Sequence, residues 1–288
     1  MSYRGSNTQN RFPTSSDDSQ QISLEWIDEV SNRFFTHRWV VGMPNLFSLT
    51  TIASLKINSS CSKSEALVRK LIERLTQYSS KADFSLVSKH LNQIKQAYSS
   101  LRFPIIDLEA KLMYRGLVGA SSSFGQPAFK VGLSFDTILN VPYIPGSSIK
   151  GAVKAASRLK KVIPDELLGE LFGNDSVGRL DFMDAYPVDG GVKGYILIPD
   201  VLTPHYSKWG EDVLEEDQVM PTPIPFLSIA PTTRFRFLIV DKAQKVDQPF
   251  LETLLKAVAV AFSLGIGAKT ALGYGAFELV KVSVEEGG

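Results

Sequence analysis

With 288 residues, 44% of them hydrophobic, the chain is long enough to bury one large core or two small ones. Lysine and arginine number 31 against 30 aspartates and glutamates, a net charge of +1, so a polyanionic partner has to be held by a local patch and not by a global field. The single cysteine, Cys61, excludes an intramolecular disulfide and a cysteine-based zinc site, and no apolar run reaches the roughly 18 residues of a membrane span, which together point to a reducing cytoplasm.

Residues 1–20 hold no Leu, Ile or Val and are rich in Ser, Asn, Gln and Asp, the composition of a disordered tail. No basic-then-apolar signal pattern is present there. From 21 to 100 the apolar period is helical: Leu67, Val68, Leu71, Ile72 and Leu75 share one face, as do Val87, Leu91, Ile94 and Tyr98. Arg69, Lys70 and Arg74 lie off the first stripe, as on a solvated face.

After Pro104 the period changes to two. Ile106, Leu108, Ala110, Leu112 and Tyr114 alternate with Asp107, Glu109, Lys111 and Arg115, which predicts a strand buried on one side. A Gly- and Ser-containing loop follows from Gly116 to Asn140, then a helix. Further strands are expected at Arg179 to Tyr186, Gly194 to Leu202 and Thr233 to Val240, a helix at Pro249 to Leu264, and a last strand at Tyr274 to Val284. That order, with 203–225 as an added loop, predicts an α+β, ferredoxin-like (RRM-like) domain over 101–288 behind an N-terminal helical extension.

Two stretches carry chemistry. In "VPYIPGSSIKGAVKAASRLKK", Pro145-Gly146 makes a turn, and Ser147 or Ser148 is expected to cap a helix starting near Ile149. At about 100° per residue, Lys150, Lys154, Arg158 and Lys161 fall within roughly 80° of one another, with Ile149, Ala152, Val153, Ala156, Leu159 and Ile163 opposite. No acidic residue lies between Asp136 and Asp165. An ordinary amphipathic helix with a lysine-rich solvent face is one reading. The other is a polyanion backbone, received by free amides and hydroxyls at the helix start and continued along the basic stripe.

The second stretch is "LGIGAKTALGYGAFEL", Leu264 to Leu279. Ala268 stands where a phosphate-binding Walker loop needs Gly before Lys269, and a helix-to-strand context is the reverse of that motif. "GYGAF" falls short of the RNA-recognition signature, because Leu272 replaces its basic residue and Ala276 an aromatic one. What remains is an amide-rich loop in which Gly267, Lys269, Thr270 and Tyr274 are candidates for close approach to a nucleic-acid backbone. A connector that packs the last helix on the sheet is the structural alternative.

Catalysis finds little support in the residues. Only His37, His90 and His205 exist, and His205, beside Tyr206 in a loop, is the one candidate acid or base. Asp181, Asp184 and Asp189 are close in sequence, but Asp181 and Asp184 point to opposite faces of a strand.

Taken together, "PYIPGSSIKGAVK", "LFGNDSVGRLDFMDA", "PHYSKW", "PIPFLSIAPTTRFRF" and "GIGAKTALGYGAF" resemble the RAMP superfamily of CRISPR proteins, over about 130–284. In order and content they are most similar to the sixth-subunit family of the Cmr (type III-B) effector complex. The resemblance implies a ferredoxin-like RAMP domain and a non-catalytic subunit near the 3′ end of a guide RNA. Neighbouring Cmr subunits would be direct partners and target RNA an indirect one, with no membrane, cofactor or metal. Contacts with RNA are expected from Ser147, Ser148, Lys150, Lys154, Arg158, Lys161, His205, Tyr206, Gly267, Lys269, Thr270 and Tyr274. The target-cutting subunit of that complex carries an Asp in the loop before its Pro-Gly-Ser-Ser element; Asp136 occupies the corresponding loop, but its context, "GLSFDTILN", does not match. A RAMP-fold endoribonuclease and a pure protein scaffold remain as other classes.

Overall fold

The computed structural model describes residues 44–59, 64–173, 177–203, 223–243 and 246–286. The expected tail at 1–20, and with it His37, Cys61, His205 and Tyr206, lies outside them.

Among the described residues three helices come first: α1 (Leu46–Ser59), α2 (Ser64–Ser79) and α3 (Phe84–Ser100). The carboxylate of Asp83 starts α3 by accepting the amide of Ser85 at 2.9 Å. As the periodicity predicts, Leu71, Ile72 and Leu75 of α2 and Val87 and Leu91 of α3 are buried. Their burial is what stabilises helices of this length, since propensity alone does not.

Strand β1 (Ile105–Leu112) is paired on both sides, with β8 (Arg234–Asp241) and β9 (Phe277–Glu285), both antiparallel. Between β1 and β8 come α4 (Gln126–Phe129), β2 (Phe135–Asp136), β3 (Val141–Pro142), α5 (Gly146–Lys160), α6 (Asp165–Phe172), β4 (Leu180–Phe182), β5 (Tyr186–Asp189), β6 (Leu197–Leu202) and β7 (Ile224–Ile229). Helix α7 (Gln248–Leu264) joins β8 to the loop before β9. The main sheet runs β4-β8-β1-β9, with β5 also on β8, and β6 and β7 form a separate hairpin. The fold is thus mixed α and β with antiparallel sheets.

Ile106, Leu108, Ala110 and Leu112 belong to the main core with Val153 and Ala156 of α5 and Val258 and Phe262 of α7. Phe237, Phe262 and Phe277 meet pairwise at 4.8 to 5.5 Å between ring centres. The opposite face of β1 is not solvated as the alternation implies, because α3 covers it. Ile105 joins Val87, Leu91, Leu238 and Val240 in a second core, and Asp107 is only 6% exposed. Its carboxylate accepts two hydrogen bonds from Arg236, at 2.9 and 2.6 Å, and one from Lys95 at 2.8 Å. Burial alone would raise the Asp107 pKa, but these two cations outweigh it and hold the carboxyl below its usual range.

The strand expected over 179–186 is two strands. The pairing with β8 is interrupted after Met183, whose amide still donates to the Leu238 carbonyl at 3.0 Å, and Ala185 bridges to Ile144 instead. Strand β7 falls partly inside the stretch read as a loop, because its apolar run is interrupted by Pro225 and reads poorly as a strand.

Candidate nucleic-acid interface

Helix α5 begins at Gly146, three residues before the expected start. Neither Ser147 nor Ser148 caps it. The amide of Gly146 instead donates to Asp184 at 2.7 Å, so a carboxylate from the break between β4 and β5 already occupies part of that helix end. The glycine itself is dictated by packing: a Cβ there would come 2.0 Å from the Phe182 carbonyl oxygen. Ser147 is exposed and Ser148 half-buried.

The basic stripe divides into two parts. Lys150 and Lys154 are half-buried, and the Lys154 ammonium donates to the Gly173 carbonyl at 2.9 Å, closing the end of α6. Arg158, Lys160 and Lys161 are exposed at the C-terminal end of α5, where cations also suit the helix dipole. Leu159, expected on the buried side, is 69% exposed and stands among them.

The glycine-rich loop is held against the segment after β1. Ala268 N donates to Leu117 O at 2.7 Å, Gly275 N to Arg115 O at 2.8 Å, and Met113 N to Ala276 O at 2.8 Å. These contacts require the glycines: Gly267 has φ of +108°, and a Cβ on it would lie 2.4 Å from the Leu117 carbonyl oxygen. Lys269 takes a left-handed conformation, φ 60°. Its ammonium lies 5.1 Å from the Phe226 ring centre and 5.0 Å from that of Tyr274, a cation between two rings. Thr270 starts a single 3-10 turn, Thr270–Leu272.

Tyr274 is buried, and its hydroxyl donates to Asp200 at 2.7 Å. Burial and this bond to a carboxylate push the phenol pKa up. Arg115 donates to the Pro199 carbonyl at 2.7 Å and lies 3.6 Å from Asp200. The structure therefore brings Gly267, Lys269, Thr270 and Tyr274 together, and adds Arg115, Asp200 and Phe226, which the sequence reading missed. No local pattern marks these three, because they come from other strands and loops.

Asp136 is committed to structure. One oxygen accepts the amides of Ile138 and Leu139, each at 2.8 Å, and the other accepts the Tyr186 hydroxyl at 3.1 Å. His90 meets the Tyr186 ring edge-on at 5.5 Å. Among the described residues, no three His, Cys, Asp or Glu side chains are grouped to hold a metal ion, and no helix is long and apolar enough to cross a membrane.

The chain has counterparts among known proteins over most of its length. The RAMP superfamily model matches residues 49–278, and the chain belongs to that superfamily. Within it, the chain falls in the Cmr6 family: CRISPR system CMR subunit Cmr6 of Saccharolobus solfataricus is 35% identical over 221 residues, 76% of this chain and 74% of that protein. A chain in a cryo-EM structure of the type III-B Cmr-β complex bound to cognate target RNA is 27% identical, with a TM-score of 0.76 over 92% of this chain and 100% of that one.

Proposed function

We propose that this chain is a non-catalytic, RNA-binding subunit of a CRISPR type III-B (Cmr) interference complex in the cytoplasm, contacting guide RNA towards its 3′ end and packing against neighbouring RAMP subunits. The observation that carries the reading is the glycine loop: an ordered, left-handed main chain carrying Lys269, in a chain 35% identical to a Cmr6. Its likeness to a chain of a complex bound to target RNA supports the same reading. Ser147, Ser148, Lys150, Lys154, Arg158, Lys161, His205, Tyr206, Gly267, Lys269, Thr270 and Tyr274 stay as the contact set. Arg158 and Lys161 are its most accessible cations on α5.

The domain reads as ferredoxin-like, with α1–α3 as an N-terminal helical extension. Strand, helix, strand, strand, helix, strand over β1, α5, β4, β8, α7 and β9, in the sheet order β4-β8-β1-β9, supports that topology. An endoribonuclease on this fold is the alternative. Against it stands Asp136, both of whose oxygens are engaged within the protein.

The test is RNA binding by the purified chain across a salt series, with RNA integrity followed in the presence of Mg²⁺ or Mn²⁺. The proposal expects salt-dependent binding with the RNA left intact. Cleavage that disappears in Asp136→Ala or His205→Ala supports the endoribonuclease, and absence of binding supports a scaffold.

A further inference from the structure

Tyr114 follows β1 and keeps 48% of its surface exposed although its backbone is fixed on both sides. Met113 is tied to Ala276 and Arg115 to Gly275 through main-chain hydrogen bonds of 2.8 Å. The ring itself stands at 89° to that of Tyr274, 5.6 Å between centres, and Tyr274 is anchored in turn by Asp200. An exposed aromatic ring has thereby been deprived of much of the freedom that it would otherwise lose on binding. The same buried Tyr274 is bordered by the Lys269 ammonium at 5.0 Å. A nucleotide offers a negative phosphate and a flat, apolar base face, and a cation and an exposed ring flanking one buried tyrosine match those two features.

We propose that Tyr114 is a stacking platform for one unpaired nucleobase of the RNA strand that passes the glycine loop. This rests on the RNA-binding reading above and adds to it a residue that reads the base face and not the phosphate. Stacking is sequence-tolerant, since every base has such a face, so the platform suits a guide whose sequence varies.

The experiment uses the full chain and a fluorescein-labelled, single-stranded RNA of mixed sequence, with anisotropy read at several salt concentrations. Tyr114→Ala is expected to weaken binding about 5- to 100-fold while leaving the slope of log affinity against log salt unchanged, because a ring and not a charge has been removed. Tyr114→Phe binds as the wild type does. Tyr114→Leu keeps an apolar side chain against Tyr274 and the wild-type melting temperature, yet loses affinity as Tyr114→Ala does. Wild-type affinity in Tyr114→Ala and Tyr114→Leu, with Arg158→Glu/Lys161→Glu still impaired, overturns the platform and leaves the RNA-binding reading standing. A loss in Tyr114→Phe equal to that in Tyr114→Ala, or a changed salt slope in Tyr114→Ala, also overturns it. Failure of the wild-type chain to bind the RNA at all overturns both.

Discussion

The hydroxyl of Tyr274 donates to Asp200 across 74 residues of sequence, a 2.7 Å bond that pins the glycine loop to the β6–β7 hairpin. The aspartate side chain is only 11% exposed; Arg115 lies 3.6 Å from the same oxygen, and the other oxygen accepts the Val201 amide at 2.8 Å. Tyr274→Phe leaves this carboxylate short of a donor. A hydrogen bond to a buried charge is worth about 2 kcal/mol, so the variant is expected to melt a few degrees below the wild type. Thermal denaturation followed by circular dichroism measures it, and an unchanged melting temperature removes the pin from the account.

Gly267→Val combines a strained φ with a collision against the Leu117 carbonyl oxygen. We expect a loss of about 2 kcal/mol or more in stability, together with weakened RNA binding, because the loop can no longer keep its path. Lys269→Ala is the milder change. It removes a cation lying over Phe226 and Tyr274, at a cost of about 0.5–1 kcal/mol, and lowers RNA affinity more at low salt than at high. Chemical denaturation and binding measured side by side separate the two variants.

The exposed end of α5 makes a different prediction. Arg158→Glu/Lys161→Glu is expected to weaken RNA binding for all sequences alike and to flatten the salt slope by roughly 0.7 for each phosphate that is no longer neutralised. The fold is retained. Lys154→Ala is expected to lower stability as well as remove a contact, because it also uncaps the Gly173 carbonyl. Equal effects of the two changes on both readouts would dissolve the division of the stripe.

The buried Asp107 cluster predicts the acid limit of the fold. Since Asp107 is held below its usual pKa by Arg236 and Lys95, it contributes stability that is fully present above the ordinary aspartate value of about 3.9 and is lost as pH falls through the lower, folded value. Asp107→Asn is expected to be destabilised at neutral pH and to lose less on acidification than the wild type. Urea melts between neutral pH and about pH 3 check both halves.

Much of this was legible from periodicity. The stripe of Leu71, Ile72 and Leu75, the alternation from Ile106 to Leu112 and the helix ending at Leu264 all report burial on one face, and burial is what the structure confirms for them. What stayed hidden is non-local. The polar face of β1 looked solvated because Lys95 and Arg236, which neutralise Asp107, come from a helix before it and a strand far after it. Ser147 and Ser148 looked like caps because nothing adjacent announces that Asp184 reaches Gly146 from 38 residues away. The two rings that flank the Lys269 ammonium are hidden too, since Phe226 and Tyr274 come to it only once the loop is folded.

Photo-crosslinking of a guide RNA within the assembled Cmr complex, with the crosslinked peptides of this subunit identified by mass spectrometry, tests the guide contact directly. Adducts are expected in the glycine loop and the adjoining segment, 265–276 and 113–115, and near Arg158 and Lys161 at the end of α5. A complex that assembles around this subunit with guide adducts on its neighbours and none on these segments would contradict that contact.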